Sequence, residues 1–263
     1  MRKKYFFFDI DGTLTTSSTD SSIPQSTLLA IKKLKEAGHF VAIATGRSYP
    51  MTLKVMEQTH IEDAVTDGGN GLCVNQKLVK MYSINREGAI SICKECLNKH
   101  ILFGAVITNE LAYTTPYEDF VVKSENCLPH MQSTVDPLFD PDEVETYHKV
   151  FVYCDQTVEN EMESRFAIPY IRYHPSMMVF EDDRKFLGIE RMMRYLDAPI
   201  EDVVCFGDGK NDISMFEQAP FSIAMGNAIE QLKNLASYVT DCSHHDGIYH
   251  ACEHFGWFEK VSE

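Results

Sequence analysis

Short apolar runs alternate with amphipathic segments near both ends of the chain. Runs of three to five apolar residues occur at 6–8, 40–44 and 203–206, and a further mostly apolar run occurs at 221–224. Such runs are typical of buried strands. Between the first two runs, residues 24–37 place leucine and isoleucine at helical spacing, and Gly38 follows as a helix end. Because strands that alternate with helices build parallel sheets, the pattern predicts an α/β core.

The pattern changes in the middle of the chain. From 83 to 183, apolar runs such as 150–153 and 177–180 alternate with helical stretches, but none of these runs ends in a polar motif of the kind described below. We therefore predict that this segment is a second domain, inserted between two parts of the core. The predicted domains are core residues 1–82, inserted residues 83–183 and core residues 184–263.

The first apolar run ends in two carboxylates. Residues 6–8 continue into Asp9-Ile10-Asp11-Gly12-Thr13. Open α/β sheets place their ligand crevices at the carboxyl ends of strands, so Asp9 and Asp11 are expected to face one pocket. Two carboxylates this close raise one pKa unless a cation neutralises them. The motif predicts a shared proton or a bound metal. With Mg²⁺, one carboxylate can act as nucleophile and ligand while the other serves as acid and then base.

Two further predicted strands also end in polar motifs. The strand at 40–44 runs into Thr45-Gly46-Arg47, and the strand at 203–206 runs into Gly207-Asp208-Gly209-Lys210-Asn211-Asp212. Each motif alone is typical of a turn, and Asp212 alone is typical of a helix cap. Their common position after core strands favours one site at a single edge of the sheet.

In this order and separation, the motifs resemble those of the haloacid dehalogenase superfamily, in its Cof-like, sugar-phosphatase branch. The first motif of that family is Asp-x-Asp-Gly-Thr. Lys185 is identified as the remaining motif by its place ahead of a helix and three residues before Gly188. Segments 224–228 and 246–248 also resemble this branch. The resemblance implies an α/β fold with a Rossmann-like parallel-sheet core and an inserted α+β cap.

The resemblance also implies roles for individual residues. Asp9 is expected to form an aspartyl-phosphate, and Asp11 is expected to act as acid and then base. The implied catalytic residues are Asp9, Asp11, Thr45 and Lys185; the substrate-binding residues are Thr45, Gly46, Arg47, Lys185 and Asn211; the Mg²⁺ ligands or supporting residues are Asp9, Asp11, Asp208 and Asp212.

By the same resemblance, the predicted activity is Mg²⁺-dependent hydrolysis of small phosphorylated metabolites, with sugar phosphates the favoured class. Arg165, Arg172 and Lys123 of the inserted domain are candidate substrate contacts, although a solvated surface charge is the simpler interpretation of each. Three alternatives stay open, of which the last is a Cys/His metal-binding module in the C-terminal segment. A phosphotransferase of the phosphomannomutase kind shares these motifs, and a non-enzymatic aspartyl-phosphate switch uses a comparable Asp, Thr and Lys set.

The net charge and the cysteines of the chain limit the kinds of partner and the cellular location that we expect. The formal net charge of -15 works against binding to nucleic-acid backbones or anionic membranes. A phosphate site in so acidic a chain needs local positive charge, for which Mg²⁺, Lys185 and Arg47 are candidates. No targeting signal or membrane-spanning run is evident, and several of the eight cysteines lie in predicted strands or helices. We therefore expect reduced thiols and a cytoplasmic protein.

The C-terminal segment suggests a different chemistry. It carries five potential zinc ligands, at His244, His245, His250, Cys252 and His254. The segment lacks the Cys-x-x-Cys pair of a structural zinc module, so a loop that enters a final helix is the favoured interpretation.

Overall fold

The computed structural model describes residues 1–17 and 22–261. They divide into two compact units. The first unit comprises Met1–Lys80 and Arg184–Glu263, and the second comprises Met81–Asp183.

Strands and helices are numbered in chain order. The strands are β1 Tyr5–Phe8, β2 Phe40–Ala44, β3 Asp63–Thr66, β4 Gly71–Val74, β5 Lys77–Met81, β6 Leu102–Val106, β7 Ala112–Thr115, β8 Gln132–Val135, β9 Lys149–Tyr153, β10 Tyr170–His174, β11 Met177–Phe180, β12 Val203–Gly207, β13 Phe221–Ala224 and β14 Tyr238–Val239. The α-helices are α1 Gln25–Ala37, α2 Tyr49–Thr59, α3 Arg86–Lys99, α4 Glu118–Ser124, α5 Gln156–Glu161, α6 Lys185–Tyr195, α7 Ile213–Phe216, α8 Glu230–Leu235 and α9 Gly247–His254.

The first unit is built on one sheet with strand order β14-β13-β12-β1-β2-β3-β4-β5. Neighbours from β14 to β3 pair in parallel, and β4 runs antiparallel to β3. At the carboxyl end of β1, Phe8 is in register with Phe206 on one side and Ile43 on the other. The carboxyl ends of β1, β2 and β12 therefore meet at one edge of the sheet, which positions the three polar motifs together.

Both faces of this sheet are covered. Phe6 and Phe8 belong to the hydrophobic cluster that includes Ile31 of α1 and Ile248 of α9, whereas Phe7 belongs to the cluster on the other face with Ile189 of α6. Successive strand residues point to opposite faces, so an aromatic run can be buried at every position only in a doubly covered sheet. The predicted Rossmann-like α/β core is confirmed.

The helix predicted at 24–37 is observed as α1. Its buried positions include Ala30, Ile31 and Leu34, and Leu29 is 45% exposed at its outer face. Gly38 ends the helix with φ +99°, in the left-handed region that glycine enters without steric cost.

The second unit has a sheet of order β10-β11-β9-β6-β7-β8. Its central pairs are antiparallel, and β7 pairs in parallel with β8. Ile92 and Cys96 of α3 pack against one face, and Phe120 of α4 packs against the other. An antiparallel sheet with helices is an α+β arrangement, as predicted for the inserted segment.

All eight cysteines lie among the described residues and are free thiols. Within 1–17 and 22–261, no helix combines the length and the apolar character that crossing a membrane requires.

Candidate active site

The turn after β1 presents Asp9 and brings its neighbours against the loop after β12. Asp9 is 3% exposed, and its backbone N–H donates to the Phe206 carbonyl at 3.0 Å. Gly12 has φ +85°, and a Cβ at this position would overlap the Asp208 carboxylate. Thr13 Oγ1 donates to Asp208 Oδ1 at 2.9 Å. Only glycine lets the two loops approach this closely, so the Asp-Gly-Thr sequence has a direct structural reason.

Lys185 lies at the first position of α6 and is completely buried. Its ammonium donates to Asp9 Oδ1 and to Asp212 Oδ1, each at 2.6 Å. A buried lysine requires compensating carboxylates, and this one has two. The structure thus brings the third predicted motif into contact with the first and the last.

Asp212 holds the loop that carries Asp208. Its Oδ2 atom accepts from the backbone N–H groups of Asp208 and Gly209, each at 3.0 Å. A Cβ on Gly207 would lie 2.7 Å from Asp212 Cγ, so the close packing of this loop requires a glycine there. The alternative interpretation of Asp212 as a simple helix cap is therefore too narrow, because its carboxylate binds both the loop and Lys185.

Negative charge is in excess at this site. Carboxylate oxygens of Asp9, Asp208 and Asp212 lie within 4.8 Å of one another. Burial raises the pKa of Asp9 to about 8, although the Lys185 ammonium opposes the shift. Burial and the Asp212 charge raise the pKa of Asp208 to about 7. Burial alone would lower the pKa of Lys185, but Asp212 and Asp9 together raise it above its ordinary value.

The pKa shifts and the oxygen ligands of this site show whether its residues could hold a metal ion. Burial is the main cause of both raised aspartate pKa values, and repulsion from Asp212 adds to it. Because three carboxylates face a single lysine, a divalent cation would relieve that repulsion. Oxygen-only ligands suit a hard cation such as Mg²⁺. The residues present fit the predicted metal.

The turn after β2 carries Thr45, Gly46 and Arg47. Thr45 is 1% exposed, and its Oγ1 accepts from the Arg47 backbone N–H at 3.1 Å. The Arg47 guanidinium binds both oxygens of Asp11, with Nε to Oδ2 at 3.0 Å and Nη2 to Oδ1 at 2.5 Å. The sequence assigned Arg47 to substrate; in the structure, its guanidinium holds the carboxylate of the predicted acid and base in a fixed orientation.

Asn211 lies in the short turn Lys210–Asp212, and a Cβ on Gly209 would lie 2.5 Å from its Oδ1 atom. Sequence reasoning missed two neighbours of Asp208. One is Thr13, described above. The other is Asn227, whose Nδ2 donates to the Gly12 carbonyl at 2.8 Å and lies 3.4 Å from Asp208 Oδ2. Both residues could have been identified from the sequence, because each follows the end of a core strand: Thr13 belongs to the first motif, and Asn227 follows β13.

A parallel-sheet core that carries carboxylates at adjacent strand ends, with a buried lysine from the start of a helix beside them, is typical of enzymes that handle phosphoryl groups. A family model described as haloacid dehalogenase-like hydrolase matches residues 6–252, and the chain belongs to this family. The family predicted from the strand-end motifs is confirmed.

Proteins of known name or structure are similar to this chain along nearly its whole length. The protein YkrA of Bacillus subtilis is 28% identical over 260 residues, which cover 97% of this chain and 99% of that protein. Phosphoglycolate phosphatase 1 of Saccharolobus solfataricus is 27% identical over 252 residues, covering 93% and 92%. The solved structure of the sugar phosphatase BT4131 superimposes with a TM-score of 0.75 at 27% identity and covers 97% of this chain and 100% of that one. The chain is accordingly a phosphatase of the haloacid dehalogenase-like family.

Proposed function

We propose that this phosphatase hydrolyses small phosphorylated metabolites, sugar phosphates foremost, through an aspartyl-phosphate on Asp9 and with Mg²⁺ as cofactor. The observation that carries the proposal is the cluster of buried Asp9, Lys185 and Asp212 with half-buried Asp208. The similarity to a phosphoglycolate phosphatase and a sugar phosphatase supports the substrate class.

Asp9 and Asp208 are the proposed side-chain ligands of Mg²⁺, with the Asp11 backbone carbonyl as a third. Asp212 supports them, because both of its oxygens accept hydrogen bonds from Lys185 and the loop. Bound Mg²⁺ neutralises carboxylate charge that would otherwise repel an anionic phosphate.

In the first half-reaction, the Asp9 carboxylate attacks phosphorus, and the bond from phosphorus to the leaving oxygen breaks. Asp11 donates its proton to that oxygen, so the alcohol leaves neutral. In the second half-reaction, Asp11 accepts a proton from the water whose oxygen attacks phosphorus. The bond from phosphorus to the Asp9 oxygen breaks, inorganic phosphate leaves, and Asp9 is again a carboxylate while Asp11 is again protonated. The bidentate contact from Arg47 orients the ionised Asp11 carboxylate, the form that accepts the proton from water.

Lys185, Thr45 and Asn211 are the proposed ligands of the transferring group. An ammonium has three donors, and Lys185 uses two of them on Asp9 and Asp212, which leaves the third for a phosphoryl oxygen. Positioning and charge stabilisation of this kind supply most of the catalysis in phosphoryl transfer. Gly46, between Thr45 and Arg47, is the remaining proposed substrate-binding position.

The inserted segment 83–183 is the proposed cap that recognises the leaving group, and the likeness to a sugar phosphatase along the whole chain supports this role. The net charge of -15 supports a small metabolite over nucleic acid or an anionic membrane as the partner. The eight free thiols support a cytoplasmic location.

The test is phosphate release from a panel of sugar phosphates, phosphoglycolate and nucleotides, with and without Mg²⁺. Asp9→Asn is the active-site variant, and Asp197→Asn, an exposed aspartate of the same unit, is the matched control. Mg²⁺-dependent release that only Asp9→Asn abolishes is the expected result. Transfer of phosphate to a second sugar instead of water would replace the hydrolase with the phosphotransferase, and a stable phosphoprotein without turnover would favour the switch.

A further inference from the structure

The turn before α9 brings a second group of metal-binding side chains together, outside the carboxylate cluster. The Cys242 sulfur and a ring nitrogen from each of His244 and His245 lie within 4.8 Å of one another. The two imidazole rings have centroids 4.2 Å apart. Cys242 is half-buried, and both histidines are exposed. The three side chains therefore converge where an ion can enter from solvent.

The backbone of this turn is fixed by its own hydrogen bonds. The Cys242 carbonyl accepts from His245 N–H at 2.9 Å and from Gly247 N–H at 3.2 Å. Thr240 Oγ1 donates to the Gly247 carbonyl at 2.7 Å, and Ser243 N–H donates to Asn227 Oδ1 at 2.9 Å. A turn held from several sides presents its ligands at a reduced entropic cost, which favours metal binding.

We propose that Cys242, His244 and His245 bind a zinc-class divalent ion, with water in the fourth tetrahedral position. A thiolate and two imidazoles are borderline-soft donors that suit Zn²⁺, whereas the carboxylate cluster suits a hard cation. Zinc bonds of about 2.0 to 2.3 Å place tetrahedral ligands roughly 3.5 Å apart. In the structure, the three ligand atoms lie within 4.8 Å of one another. Rotation of the two exposed histidine side chains would bring their ring nitrogens to the shorter spacing that zinc requires.

This ligand set differs from the one that the sequence suggested. Cys252 is completely buried in the hydrophobic core of the first unit. His254 stacks on Tyr238, and His250 pairs with Asp241. Those three residues have other roles, and Cys242, which the sequence did not single out, takes the place of the thiol.

The turn also shares an anchor with the active site. Asn227 accepts from Ser243 N–H and donates to the Gly12 carbonyl, and its Nδ2 lies 3.4 Å from Asp208 Oδ2. The two cation sites must therefore be distinguished by variants that remove one donor set at a time. Asp208→Asn removes a hard donor, and Cys242→Ser removes the only sulfur of the proposed site.

The test is a Co²⁺ titration of the full chain in saturating Mg²⁺, followed by the sulfur-to-cobalt charge-transfer absorption that only a thiolate ligand produces. One Co²⁺ per chain is expected, displaced by Zn²⁺. Cys242→Ser should lose the band, and His244→Ala or His245→Ala should weaken Co²⁺ binding roughly tenfold or more, since loss of even a supporting residue costs that much.

Asp208→Asn and Cys127→Ser should keep the band, because neither side chain belongs to the proposed site; Cys127 is half-buried like Cys242. Absence of the band in the wild-type protein would overturn the proposal. So would a band that survives Cys242→Ser or that Zn²⁺ does not displace. Circular dichroism of each variant shows that a lost band is not lost folding.

Discussion

Each unit contains a buried ionic group, and the two groups differ in their balance of charge. In the second unit, buried charges are matched by partners: Glu159 accepts from the Arg172 guanidinium and the Tyr170 hydroxyl, and Glu181 pairs with Lys149 at 2.5 Å. In the first unit, three clustered carboxylates face the single ammonium of Lys185. Negative and positive charges are equal in number in the pairs of the second unit, whereas negative charges outnumber positive ones in the cluster of the first unit.

The pKa directions express the same difference. Burial would raise the pKa of Glu159, but hydrogen bonds from Tyr170 and Arg172 lower it below the ordinary value. For Asp9, burial prevails over Lys185 and the pKa rises to about 8. A balanced buried pair is complete without a ligand, whereas an unbalanced cluster is typical of a functional site whose remaining charge is supplied by what binds there.

The largest expected effect is the loss of turnover when Asp9, one of the three clustered carboxylates of the first unit, is replaced. Asp9→Asn should lower turnover at least about 10³-fold, because an amide cannot act as the nucleophile. It should leave the melting temperature without Mg²⁺ unchanged or higher, because one of three repelling charges is gone and Lys185 keeps Asp212. Phosphate release and thermal unfolding check both parts. A variant that loses activity and is also markedly destabilised would contradict the contrast between the units.

Mg²⁺ itself should stabilise the first unit. Trp257 is the only tryptophan and is 6% exposed in the core of that unit, so its fluorescence reports local unfolding. Mg²⁺ at about 100 times its dissociation constant should add about 2.7 kcal/mol to the free energy of unfolding. Asp208→Asn should abolish this increment, and Asp197→Asn should keep it. An equal Mg²⁺ effect in Asp208→Asn would remove Asp208 from the metal site.

Much of the core could be predicted because its signals are local. The aromatic run before Asp9, the helix that ends at Gly38 and the strand-end motifs are each readable from adjacent residues. The pairing of Arg47 with Asp11, and of Thr13 and Asn227 with Asp208, depends on which loops meet at the sheet edge, which no single segment encodes. Arg172 was interpreted as a solvated charge because its buried partner Glu159 lies on another element.

In the second unit, removing one member of a matched pair should destabilise the fold. Glu159→Gln leaves the Arg172 guanidinium, whose side chain is 20% exposed, without its carboxylate. The expected loss in free energy of unfolding is about 2 kcal/mol, measured by urea denaturation. Glu161→Gln, an exposed glutamate at the end of the same helix, is the control and should change stability by less than about 0.5 kcal/mol. Equal effects of the two substitutions would show that the pair contributes nothing.

The smallest effect concerns Glu95 and is visible through pH. Its carboxylate accepts from Lys99, from the Ser164 hydroxyl and from the backbone N–H groups of Glu163 and Ser164. Burial would raise the pKa of Glu95, but these hydrogen bonds lower it from 4.5 to about 2. A lowered folded-state pKa means that the ionised form stabilises the fold above the unfolded-state pKa, and that this stabilisation is lost as pH falls towards the folded-state value.

Glu95→Gln should therefore be less stable than the wild-type protein at pH 7, and the difference should shrink as pH falls from about 4.5 towards 2. Solvent screens the hydrogen bonds of the Glu95 carboxylate, because they lie near the surface. The difference in free energy of unfolding at pH 7 should therefore be about 1 kcal/mol or less. Urea unfolding at several pH values measures it, with Glu87→Gln, an exposed glutamate on the same helix, as the control. A difference that stays constant from pH 7 to pH 3 would mean that packing, not the charge of Glu95, holds this part of the unit together.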